Sequence, residues 1–154
     1  MKLRKKQDGL STVEFALVAA VLFTMIFGVI EVARAFFVSS ALDEATRRGA
    51  RMAAVCPIND AAVFQAAAFN NTLIPDLDAG DITVEYLDDT GAIVGNPAVP
   101  AGFRVIRYVR VRVVGYQHQT IIPFVSALID LPEYATVLPR ESLGIPRQGA
   151  IVPC

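Results

Sequence analysis

Glu14 is the only formal charge between Leu10 and Ile30, a run of 21 residues that is otherwise apolar or neutral. Those residues span roughly the 30 Å of a bilayer's hydrocarbon core at about 1.5 Å rise per helical residue, so the segment reads as one transmembrane helix. A carboxylate costs up to about 2.5–3.5 kcal/mol at the centre of such a helix and less near its end, so Glu14 asks for a cationic partner. Lys2, Arg4, Lys5 and Lys6 precede the run against the single acid Asp8. Short basic flanks stay in the cytoplasm, which places the N-terminus inside and everything after Ile30 outside.

The other residues capable of chemistry are few. Cys56 and Cys154 are the two cysteines. On an oxidising side they could form one disulfide tying the tail to the helix, worth about 4–5 kcal/mol in the chain-entropy view. A bond to another subunit or two free thiols are the rivals. His118 is the sole histidine, and in Tyr116-Gln117-His118-Gln119 it reads as a surface or strand-pairing residue. A Ser126, His118, Asp130 set can be written down, but nothing in the spacing brings the three together. Asp76-x-Asp78 and Asp88-Asp89 are explained by turn chemistry as well as by a cation. No zinc spacing, phosphate loop or nucleophile elbow occurs, so the sequence predicts no enzyme, cofactor, metal or small-molecule substrate.

Charge points the same way. Taking the four bases and one acid of residues 1–9 from totals of 14 and 15 leaves ten bases against fourteen acids, a balance with no global attraction for nucleic acid.

These residues must be positioned by a small number of elements. Val38, Leu42, Ala45, Gly49, Met52 and Cys56 recur at spacings of four, three, four, three and four. That is the narrow apolar stripe of an amphipathic helix. Asp43 with Arg47 and Glu44 with Arg48 add i,i+4 pairs in the favourable acid-first order, and Pro57 ends the pattern. Leu10 to Cys56 can therefore be one helix, with a break near Glu31, Arg34 or Ser39-Ser40 as the alternative. The small residues of the stripe favour packing on the chain's own domain over a coiled coil with another stem.

Beyond the stem, Asn59 or Asp60 caps a short alanine-rich helix through about Asn71. Ile82 to Leu87 alternates as a strand, Asp88 to Gly91 turns, and Ala92 to Val94 makes a short return. Phe103 to Gln117 reads as one long strand with Phe103, Val105, Val109, Val111 and Val113 on its core parity and Arg104, Arg110 and Arg112 on a solvated face. Tyr116 to Ile122 pairs back as another strand, and Tyr134 to Leu138 is the last. The prediction is an α+β fold: a long N-terminal transmembrane and amphipathic helix, then a small antiparallel-sheet domain packed on the stem.

The pattern Gly9, Leu10, Ser11, Thr12, Val13, Glu14, Phe15 after a basic leader resembles the class III signal of type IV pilins. In that family a prepilin peptidase cuts after the glycine on the cytoplasmic face and the apolar segment is retained. The resemblance implies cleavage between Gly9 and Leu10 and makes Glu14 and Phe15 assembly residues, Glu14 one helical turn from the new amine. The Val13 to Val18 run, the stem with Ala41-Leu42-Asp43-Glu44-Ala45 and Arg47-Arg48-Gly49-Ala50-Arg51, the valine-rich strand, and Ala135-Thr136-Val137 with Arg140-Glu141-Ser142 are together similar to the TadE-like proteins of tight-adherence (Flp) pilus systems. That resemblance implies a pilin-like fold and a pseudopilin needed to assemble the pilus or its secretion machinery. Its implied partners are the prepilin peptidase, other pilin-like subunits and the assembly platform.

The expected layout is a cytoplasmic leader at 1–9, a transmembrane helix at 10–30, a stem at 31–56 and an extracytoplasmic domain at 57–154. Its place is the bacterial inner membrane, as a single-pass protein with the domain in the periplasm, or the pilus itself. Two rivals remain at this stage. Ala33-Arg34-Ala35 offers an A-x-A site for a cleaved secretory signal. A passively anchored periplasmic domain that binds an envelope ligand through its arginine-bearing sheet would need no Gly9 to Glu14 signal.

Overall fold

The computed structural model describes residues 8–74, 76–121, 128–145 and 153–154. Lys2, Arg4, Lys5, Lys6, Pro75, Ile122 and Ser126 lie outside them.

Helix α1 runs unbroken from Asp8 to Val55, 48 residues and about 72 Å at 1.5 Å each. Continuity is explicable residue by residue. No proline occurs before Pro57, and glycine at 28 is the kind of small residue that membrane helices tolerate. Thr24 returns its hydroxyl to the Ala20 carbonyl at 2.8 Å. The expected weak points are each tied down: Arg34 pairs with Glu31, and the Ser39 hydroxyl meets the Tyr134 hydroxyl at 2.5 Å. Asp43 with Arg47 and Glu44 with Arg48 form the anticipated exposed pairs at 2.9 and 3.0 Å.

Two halves of α1 behave differently. From Ser11 to Ile30 almost every side chain is exposed, whereas Val38, Ala41, Leu42, Ala45, Thr46, Gly49, Ala50, Ala53 and Ala54 are buried. The stripe read from the sequence is thus the face on which the chain's own domain packs.

Helix α2, Ala61–Ala67, is capped by Asp60, whose side chain accepts from the Ala62 amide. It crosses the stem at Gly49, where a Cβ would stand 2.9 Å from Ala67 Cβ and 3.0 Å from Val111 Cγ1. A short 3₁₀ turn follows at Phe69–Asn71. Strand β1 is Ile82–Leu87. The proposed return at Ala92 to Val94 is a single bridge, Leu87 to Ile93, and not a strand.

The long strand expected over Phe103 to Gln117 is divided. Pro100–Val105 is helix α3, Tyr108–Val113 is β2, and the chain turns at Gly115 with φ at +78° before β3, Gln117–Gln119. Pro100 at the first helical position favours the helix, and the Phe103 amide bonds to the Val99 carbonyl. Gly102 permits the tight wrap, since a Cβ there would meet the Asn96 carbonyl oxygen at 2.0 Å. Consequently Ile106 is buried, though it sits on the parity assigned to solvent, while Val105 is exposed.

Strand β4 is Leu128–Asp130 and β5 is Tyr134–Pro139. The main sheet has order β1-β2-β5, antiparallel throughout, while β3 and β4 form a separate two-stranded ladder. Of the strand expected over Tyr116 to Ile122, Gln117–Gln119 therefore pairs with β4 and not back onto β2. Val84, Tyr86, Val109, Val111, Val113 and Leu138 contribute to the core between sheet and stem. The opposite face is more ordered than a row of solvated arginines. Arg110 and Arg112 both reach Glu85, Arg112 also reaches Glu133, and each arginine side chain is only 29% exposed.

Candidate functional site

Three places on the stem carry the polar and covalent chemistry of this chain. The first is the uncovered apolar half of α1. Gly9 and Leu10 lie within its first turn. Glu14 is exposed, Phe15 is 75% exposed, and Leu17, Val18, Val21, Leu22 and Met25 present a continuous apolar surface. Among the described residues no ion pair reaches Glu14. This is the one helix of the described chain long and apolar enough to cross a membrane.

The second place was not legible from the sequence. Glu31, the first residue after the apolar run, is 6% exposed and His118 is 1% exposed. His118 Nε2 lies 2.8 Å from Glu31 Oε1, and the Ile121 amide donates to Oε2 at 3.1 Å. Arg34 closes the group at 3.3 and 3.1 Å from the two oxygens. Burial alone would push the Glu31 carboxyl up, but the bonds from Ile121 and His118 and the charge of Arg34 outweigh it and hold the group below the ordinary 4.5. Of the surface or strand-pairing role expected of His118, the pairing holds, opposite Ile129 in β4, while the surface position does not: the side chain is buried and fastens β3 to α1. An acid at the exit of an apolar helix and a lone histidine between two glutamines were the available signals, and only the fold brings them together across 87 positions.

The third place is the far end of the stem. Cys56 and Cys154 form a disulfide with a Cα separation of 5.7 Å. The Cys154 amide also donates to Asp60 Oδ2 at 3.0 Å, and the two amide bonds that Asp60 accepts hold its carboxyl below the usual range. Nearby, the Glu141 and Leu143 amides donate to the Ala54 carbonyl and the Gly144 amide to that of Val55. Between these ends, Thr46 bonds Thr136 at 2.8 Å. The sheet domain is therefore strapped along the stem from Glu31 to Cys56.

The remaining candidates do not assemble. Ser126 lies outside the described residues, His118 is committed to Glu31, and Asp130 accepts from Gln117 Nε2 at 2.9 Å. Asp88 accepts from the Thr90 and Ala92 amides, and the Asp78 amide donates to Asp81, as turn chemistry requires. Among the described residues no group of three or more histidine, cysteine, aspartate or glutamate side chains is arranged to hold a metal.

Comparison with known proteins returned one family and otherwise nothing. No curated protein and no solved structure matches the chain. The family model described as TadE-like protein matches residues 9–51, from the glycine of the N-terminal signal to the basic turn of the stem. The matched region contains Glu14, Glu31 and Gly49, and it stops before Cys56 and the sheet. Over residues 9–51 the chain is therefore similar to the TadE-like family.

Proposed function

We propose that this protein is a membrane-anchored pseudopilin, a minor pilin-like component that helps assemble a Tad pilus or its secretion machinery by protein contact and not by catalysis. The observation that carries the reading is Glu14, a carboxylate with no ion pair among the described residues, four residues into an apolar helix surface that nothing in the described chain covers. In a bilayer such a group is costly when alone and stabilising when it meets a cation in low dielectric. A neighbouring pilin-like subunit supplies that cation in its N-terminal amine, which sets the register between packed helices. In this reading the leader is cytoplasmic, prepilin peptidase cuts between Gly9 and Leu10, and residues 57–154 lie outside the inner membrane as a recognition surface.

The test is Glu14→Ala beside Glu14→Gln in cells that make the pilus. Both variants should enter the membrane as well as the parent, and Glu14→Ala should lower pilus output. Unchanged output at equal membrane abundance would remove the docking role. The intact mass of membrane-extracted protein, with and without the peptidase, reads out cleavage: a chain starting at Leu10 supports it, and one still starting at Met1 rules it out.

A further inference from the structure

We infer that the β3–β4 ladder is a second membrane contact, an apolar foot resting in the headgroup layer of the bilayer that α1 crosses. The inference rests on the anchor reading above and adds a surface to it. The Ile121 amide is bonded to Glu31, and Glu31 directly follows the 21-residue apolar run, so this end of the ladder sits level with the helix's exit from the hydrocarbon. At that level apolar side chains are exposed on both elements, beside the exposed polar Gln117, Gln119 and Asp130 of the ladder. Ile121 is 54%, Leu128 63% and Ile129 44% exposed, and on the stem Val32, Phe36 and Phe37 are 57%, 72% and 54% exposed. Val32 lies two residues past Ile30, about 3 Å along the helix and inside the polar layer that adds roughly 5–8 Å to each side of the hydrocarbon, and Phe36 and Phe37 lie just beyond it at about 9 and 10 Å.

Two further observations favour lipid as the occupant. A two-stranded ladder is marginal in water alone, and every residue of β4 is exposed. Arg34, whose side chain is 33% exposed, stands where lipid phosphates lie, while its bond to Glu31 keeps the carboxylate compensated.

The chain has no tryptophan, so a single introduced one reports its own surroundings. Leu128→Trp, Leu22→Trp and Ile93→Trp are made in the full chain and reconstituted into phosphatidylcholine–phosphatidylglycerol vesicles carrying brominated acyl chains. Ile93 bridges to Leu87 at the end of the sheet strapped to Ala54, about 35 Å along the stem from Glu31. Lipid bromine should quench most of the emission at 22 and 128 and spare that at 93, while aqueous iodide should do the reverse. Iodide quenching at 128 equal to that at 93 overturns the foot while leaving the anchor standing. Shielding at 128 from both quenchers also overturns it, because protein and not lipid then covers the ladder. Escape of position 22 from lipid quenching removes the anchor reading and the foot with it. Ile129→Trp serves as the reporter if Leu128→Trp does not fold.

Discussion

Removing the Glu31 carboxylate should free the β3–β4 ladder from the stem while leaving the main sheet in place. Glu31 accepts from His118, from the Ile121 amide and from Arg34 at 2.8, 3.1 and 3.1 Å. Hydrogen bonds to a charged group contribute about 1.5–3 kcal/mol each, and a stranded buried donor costs about 1–3 kcal/mol. The Arg34 side chain is a third exposed, so its pair contributes at most about 1 kcal/mol. The terms overlap, and Glu31→Ala should lower the local stability of the ladder by about 2–4 kcal/mol, a roughly 30- to 900-fold rise in amide exchange. Hydrogen exchange on the full chain in micelles measures this at residues 117–121 and 128–130, with β1 and β2 as internal controls. His118→Ala combined with Glu31→Ala should cost much less than the two single effects added, since both remove the same contact. The pH dependence has a definite sign. A carboxyl held below its ordinary 4.5 contributes stability that is present above that value and is lost as the pH falls through the lower, folded one. Protection of the ladder, corrected for intrinsic rates, should therefore fall in acid below 4.5, and Glu31→Gln should remove the contribution of this group. Exchange in Glu31→Ala within about threefold of the parent, roughly 0.6 kcal/mol, would refute the clamp.

Two other perturbations test the packing along the stem. Gly49→Ala gains about 0.8–1 kcal/mol of helix propensity, but its methyl meets Ala67 Cβ at 2.9 Å and Val111 Cγ1 at 3.0 Å, and overpacking costs about 1–3 kcal/mol. A net loss of about 1 kcal/mol is expected in denaturant unfolding, with Ala67→Gly recovering part of it; a stabilised single variant would contradict the close approach. Cys154→Ser opens a loop of 98 residues, and the chain-entropy relation puts the loss near 4.7 kcal/mol, so an unchanged thermal midpoint would show that the tail contributes nothing.

The sequence by itself determined the features that depend on neighbours along the chain. An apolar run of bilayer length behind a basic leader, an apolar stripe at spacings of three and four, the alternation of Ile82 to Leu87 and the cap at Asp60 are local patterns, and each specifies its element through helix or strand geometry alone. The Gly9 to Glu14 pattern, which lies within the residues the TadE-like model matches, belongs to the same class. Tertiary structure decided what local periodicity leaves degenerate. Phe103-Arg104-Val105 fits one turn of helix as well as three residues of strand, and Pro100 with the glycine contact to the Asn96 carbonyl selected the helix. The ladder of β3 with β4 depends on a carboxylate 87 residues before His118, and no short-range pattern encodes such a pairing. That is why Glu31 and His118, unremarkable in the sequence, become the fastening between the long apolar helix and the sheet domain: burying either alone would strand a polar group, and only the fold brings each the partner that offsets the cost.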